Sequence, residues 1–146
     1  DHSMVYIEKL ESPQAVRMDS RIGTRVTLYS SSVGKAYLAG LAQAQRERLM
    51  RTLHLEAFTS NTHTTLEALR ADVEETRARG YAEDREENEA QIFCYGAAIV
   101  GADGVPVACV SVSIPLYRRL PDAQQAYVTP LLQACANISR KLAGPG

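Results

Sequence analysis

The 146-residue chain is predicted to fold as a single α/β (α+β) domain, a mostly antiparallel sheet flanked by helices. Three observations lead there. Two uncharged, β-rich runs, Ile92 to Val100 and Val105 to Ile114, flank Gly101-Ala102-Asp103-Gly104. Asp-Gly between apolar runs signals a β-hairpin. Strand and helix patterns follow in the order β-β-β-α-α-α-β-β-β-α, with tight connections that suit antiparallel pairing. Apolar content of 45% and charged content of 23% are those of a globular domain, and the length suffices to bury a core.

Each element has its own reason. Met4 to Leu10 alternates as a strand does, Ala15 to Asp19 reads as a second, and Glu11-Ser12-Pro13-Gln14 supplies the turn between them. Arg25 to Tyr29, after Gly23, reads as a third. Ser30 to Ser32 then precede Val33, Ala36, Tyr37, Gly40 and Leu41 at helical spacing, with a serine as N-cap. Such a start points unpaired N–H groups outward, which suits a carboxylate or phosphate; an ordinary cap gives the same pattern. Gly34-Lys35 is no phosphate-binding loop, because Tyr29 stands where that motif needs glycine.

Gln43 to Leu53 is predicted to be a helix with Arg46, Arg48 and Arg51 outward and Leu49 and Leu53 inward. Thr64 with Glu67 forms a capping box for the next helix, which buries Leu66, Leu69 and Val73 and ends at Gly80. Its face of Arg70, Asp72, Glu74, Glu75, Arg77 and Arg79 reads as solvated. The acids from Glu83 to Glu89 read as a charged edge strand. Leu120-Pro121-Asp122 opens a final helix, delayed or bent by Pro130, whose seam is Val128, Leu131, Cys135, Ile138 and Leu142.

The hairpin carries the chemistry. Period-2 alternation puts Phe93, Tyr95, Ala97 and Ile99 on one face and Ile92, Cys94, Gly96 and Ala98 on the other. On the second arm Ala108, Val110, Val112 and Ile114 share one face, and Cys109, Ser111 and Ser113 the opposite one. Neither face is charged, so both are expected to be covered. Thiols and hydroxyls among small side chains suit a small polar ligand as well as a core.

Sixteen basic and seventeen acidic residues give a net charge of −1, which offers no electrostatic reason for nucleic acid at this surface. Cys94, Cys109 and Cys135 are odd in number and widely spaced, as free thiols in a reducing cytoplasm are. His2, His54 and His63 form no ligand spacing with each other or with the cysteines, so no metal and no other cofactor is expected. No apolar run approaches the ~18 residues of a membrane span. Catalysis is poorly supported: no histidine lies near the small-residue face in sequence, and no G-x-S-x-G elbow occurs. Asp84, ten residues before Cys94, is the acid placed to cross a pocket mouth.

Four ordered blocks then resemble one family. Arg21-Ile-Gly-Thr through Ser32-Val-Gly34-Lys35-Ala36 is similar to the block that opens the effector-binding domain of IclR-family transcriptional regulators. Arg79-Gly80-Tyr81 through Glu86-Glu87 to Cys94, then Ala98 to Gly104, then Val110-Ser111-Val112-Ser113 before Pro115 follow in the family's order. Asn137 to Leu142 is similar too, so the resemblance covers essentially the whole chain. It implies a GAF/PAS-like fold, no enzymatic activity, and residues 1–146 as a ligand-sensing domain without the N-terminal winged helix-turn-helix, which agrees with a start at Asp1.

It also implies a site. Backbone amides at Ser32 and Val33 would hold an effector's carboxylate, Asp84 and Cys94 would be the pocket acid and thiol, and Ser111 and Ser113 the paired hydroxyls. Gln91 replaces a glycine common in the family, and Ile114 the middle of a Ser-Gly-Pro; both are expected to reshape the pocket. Ser32 and Val33 stand where small residues are common. The expected partners are a small organic acid, DNA only through the missing domain, and a homodimer or homotetramer, with no membrane. Two alternatives stand beside this reading: a thiol-based GAF-like reductase, and a dimerisation module with no ligand.

Overall fold

A computed structural model of the chain describes residues 2–14 and 20–145. Three antiparallel strands form its centre: β3 (Ala82–Arg85), β4 (Ile92–Val100) and β5 (Pro106–Pro115), in the order β3-β4-β5. The hairpin lies where the Asp-Gly turn puts it. Its register differs from a symmetric count across the turn: Cys94 faces Ser113, not position 111, because the turn centres on Asp103, which moves the pairing by one, and the ladder shifts by one more between Ile99 and Val100. That shift leaves Val107 as an extra residue on β5, a bulge.

The two faces of the sheet are covered differently. Phe93, Tyr95, Ala97 and Ile99 pack with Ile114 against Leu131 and Cys135 from α4 (Thr129–Ala143) and Val128 just before it. A π-helical turn, Gln124–Val128, precedes α4 directly before Pro130, whose ring has no N–H to offer. The predicted seam therefore divides. Val128, Leu131 and Cys135 are buried, whereas Ile138 and Leu142 are 38% and 58% exposed.

On the other face lies α1 (Ser32–Gly40), backed by α2 (Gln43–Arg51) and α3 (Leu66–Arg79). Leu28, Tyr29, Leu38, Met50, Leu69 and Val73 form this second core. Arg46 is a correction to the expected outward face of α2. It is buried, donating to the Leu41 carbonyl at 2.8 Å and to Glu74 Oε1 at 3.1 Å, so a cation closes the end of α1. The α3 cap is also displaced: Thr65, not Thr64, accepts from Ala68 N–H, so no Thr64–Glu67 box forms. The helix ends at Gly80 as expected.

At the N-terminus β1 (Ser3–Val5) pairs with β2 (Arg25–Thr27). The predicted strand from Met4 to Leu10 is cut short, and Ile7 and Leu10 stand exposed with no partner strand in the described residues. The predicted strand from Ala15 to Asp19 lies outside the described residues. No helix among the described residues is long and apolar enough to cross a membrane.

Candidate functional site

Strand register builds the site from below. Asp84, Cys94 and Ser113 are cross-strand partners in one row, and Ala82, Gly96 and Ser111 in the next, about 7 Å along the strands. Paired residues point to the same side of a sheet, so both rows face α1. Cys109, opposite Ala98, lies further along the same face. The six predicted residues thus converge from three elements: α1, β3 and the hairpin.

Two glycines let α1 lie this close. A Cβ on Gly96 would sit 2.6 Å from the Ser32 carbonyl carbon, and one on Gly34 would sit 2.4 Å from Leu28 Cα. At its other end Gly40 rests on Pro106. The helix therefore runs from Gly96 toward the hairpin turn, and its N-terminal end faces the Asp84–Cys94–Ser113 row. Ser31 is the N-cap, accepting from Gly34 N–H at 3.1 Å while its hydroxyl donates to the Thr27 carbonyl. The Ser32 and Val33 N–H groups are left, and among the described residues neither finds an acceptor. Orphan amides at the positive end of the helix dipole favour an anion.

Asp84 and Cys94 are buried and Ser113 half-buried, and the row is hydrogen-bonded. Cys94 Sγ and Ser113 Oγ share a hydrogen bond at 3.2 Å. Asp84 Oδ1 accepts from the N–H groups of Glu87 at 2.8 Å and Asn88 at 3.3 Å. Burial pushes the Asp84 carboxyl up to about 6, and the charge of Glu87 adds to it against the pull of those N–H groups and Lys35. Burial, then the neighbouring Asp84 charge, pushes the Cys94 thiol up to about 12, so it stays protonated at neutral pH. Cys109 is pushed to about 12 as well, chiefly by burial. Four strand residues, about 13 Å, separate Cys94 from Cys109's partner Ala98. A reductase working through a Cys94–Cys109 disulfide does not fit this geometry.

Sequence reasoning missed two parts. Tyr6, at the end of β1, brings its phenol within electrostatic reach of Cys94 and Asp84; burial, then those two groups, pushes its hydroxyl up. Its β-hairpin is tied to the acid loop through Thr27–Ser30–Asn88, with Ser30 Oγ donating to Asn88 Oδ1 at 2.8 Å. Nothing in the spacing marks Tyr6. The second part is a buried ion cluster. Lys35, fully enclosed, donates to Asp72 Oδ2 at 2.5 Å, Glu87 Oε1 at 2.6 Å and the Glu83 carbonyl at 2.5 Å. His63 Nε2 lies 2.8 Å from the same Asp72 oxygen.

Asp72 therefore leaves the solvated face to which its spacing assigns it. Burial pushes its carboxyl up, but the His63 hydrogen bond and Lys35 outweigh this and hold it at about 2. His63, Asp72 and Glu87 also have the donor chemistry of a cation site. The Lys35 ammonium already sits against both carboxylates, so this is an ion-pair core and not a metal site.

The departures from the family pattern also resolve. Gln91 is exposed and takes φ +66°, the left-handed conformation that glycine adopts most readily. Ile114 pairs with Phe93 and points into the α4 core. Neither side chain lines the polar rows, contrary to expectation. Two open concavities lie away from this face: about 500 Å³ beside Asn137, Arg140 and Lys141, and about 180 Å³ beside His2, Arg48 and Leu49. Buried convergent polar groups, not concave size, single out the rows beneath α1.

Comparison with known proteins gives matches along most of the chain. The family described as "Bacterial transcriptional regulator IclR C-terminal" matches residues 1–140. The HTH-type transcriptional regulator KdgR of Escherichia coli is 34% identical over 97% of this chain and 54% of its own length. The chain thus spans about half the length of that curated relative. The crystal structure of Thermotoga maritima IclR superposes with a TM-score of 0.90 at 38% identity, over 95% of this chain and 56% of that one. A double mutant of the inducer-binding domain of PobR from Acinetobacter, in complex with 3-hydroxybenzoic acid, shares the fold with a TM-score of 0.80 at 22% identity, over 98% and 82%.

Proposed function

We propose that this chain, which belongs to the IclR family of bacterial transcriptional regulators as a match to its C-terminal domain, senses a small organic acid. Its occupancy is passed to an N-terminal winged helix-turn-helix that reads DNA, in a cytoplasmic homodimer or homotetramer. One observation carries the reading: the two uncapped amides opening α1 face a row of buried Asp84 and Cys94 and half-buried Ser113.

The acid's carboxylate takes the Ser32 and Val33 N–H groups. Ser111 and Ser113 donate to or accept from its remaining oxygens, and Asp84, ionised at neutral pH, accepts from a ligand hydroxyl. The rows are neighbours on one sheet face, which favours a short acid with a hydroxyl or keto group near its carboxylate. Cys94 is a neutral donor here and not a nucleophile. For the signal to reach DNA, the acid must bind one arrangement of the oligomer better than another.

A thermal-shift screen of short hydroxy and oxo acids, run beside Ser111→Ala/Ser113→Ala, tests this. Near a hundredfold over Kd a true effector adds about 2.7 kcal/mol of stability. The shift is expected in the parent chain and lost in the double variant. A shift that survives moves the site elsewhere, and silence across the acids favours the ligand-free dimerisation module.

A further inference from the structure

We infer that Glu87, clamped by the buried Lys35, is a positioning residue of the effector site, fixing where the Asp84 carboxylate sits and opposing its charge. The inference rests on the site reading above and adds a residue to it.

The geometry is a closed set of bonds. The Glu87 peptide N–H is the shorter of the two donors to Asp84 Oδ1, at 2.8 Å. That peptide is held by its own side chain: Oε1 accepts from Lys35 at 2.6 Å and Oε2 from the Arg85 N–H at 2.8 Å. The Glu87 carbonyl accepts from Thr62 Oγ1 at 2.6 Å. Glu86, just before it, takes φ +58°, a conformation unfavourable for a residue with a side chain. Thr59 Oγ1, donating to the Glu86 carbonyl at 2.6 Å, and Glu86 Oε1, accepting from Gln91 N–H at 2.8 Å, hold it there. Strain kept by so many bonds next to a polar site marks a loop whose shape matters.

Lys35 gives the clamp its meaning. It lies one turn into α1, the helix whose first amides form the other end of the site, and it bonds to Glu87 and to the β3 carbonyl of Glu83. One ammonium therefore fixes α1 and the Asp84 loop relative to each other. The groups facing Asp84 are Glu87 and Asn88 on its own loop, Cys94 on β4, Tyr6 after β1 and Lys35 on α1. Among these Glu87 is the acid whose charge raises Asp84. Replacing it by an isosteric amide keeps the peptide N–H and removes the charge.

The test is a carbon-13 NMR titration of the side-chain carboxyls, which requires no effector. In Glu87→Gln the Asp84 midpoint is expected to fall below its parent value of about 6. In Thr62→Val, which frees the Glu87 carbonyl and leaves both charges in place, the Asp84 midpoint is expected to rise as the Glu87 N–H that lowers it loosens. This second variant decides the matter if Glu87→Gln does not fold. A folded variant with an unmoved midpoint overturns the inference. A moved midpoint together with a silent acid screen overturns the effector reading alone, so the two failures are distinguishable.

Discussion

At the scale of single residues, burial converts ordinary acids into groups of opposite consequence. Asp84 is held at about 6, above its unfolded value of ~3.9. The folded chain thus binds that proton more tightly, and stability falls as pH rises between those values. Above pH 6 the cost is complete, at roughly 2–3 kcal/mol. Asp84→Asn removes it: its Tm is expected to exceed the parent's at pH 7.5 and to approach it at pH 4.5, in melts recorded at both. Asp72 has the reverse sign. Held at about 2, it contributes stability above pH ~4 that is lost as pH falls through 2. A stabilising substitution at Asp84 that abolishes acid binding is the signature of a site kept at the expense of stability. Strand alternation made Ser111 and Ser113 legible here, because which side of a strand a residue faces is local. The burial of Lys35 was not, because its partner Asp72 lies 37 residues away and Glu87 lies 52.

At the scale of elements, the site exists because a helix end can rest on a strand. Gly96 is the contact. Gly96→Ala places a methyl carbon within 3 Å of the Ser32 backbone, which cannot move without lifting α1. The expected loss is about 1–3 kcal/mol, read by chemical denaturation, together with loss of any acid-dependent thermal shift. Retained stability and an undiminished shift would mean that α1 does not depend on this contact. The α1 boundary was close to legible from three serines before an apolar pattern, since caps are local signals. Which serine caps required the fold: Ser31 is fixed by its bond to Thr27.

At the scale of the whole molecule, two cores lie on opposite faces of one sheet and differ in completeness. The α1 side is closed by α2, α3 and the N-terminal hairpin. The α4 side ends with Ile138 and Leu142 exposed in the helix's last turns. If α4 helps to join copies of this chain, charge there opposes association. Ile138→Asp/Leu142→Asp is then expected to lower the mass measured by sedimentation, with little change in monomer stability because neither side chain is in the core. An unchanged mass would place the oligomer contact on another surface.

The sequence by itself determined the hairpin, the order and type of most elements, the division of the central strands into an apolar and a polar face, and the family. Those properties are set by residues within a few positions of one another: turn chemistry, caps and the periods of helix and strand. Tertiary structure alone decided that Cys94 meets Ser113, that Glu87 turns inward just past an edge strand, that Arg46 and Asp72 leave the solvated faces, and that Tyr6 approaches the site. Each depends on partners far apart in the chain and on a bulge that no local pattern announces. Charged residues spaced along a helix look alike in sequence, whether water or a buried ammonium receives them.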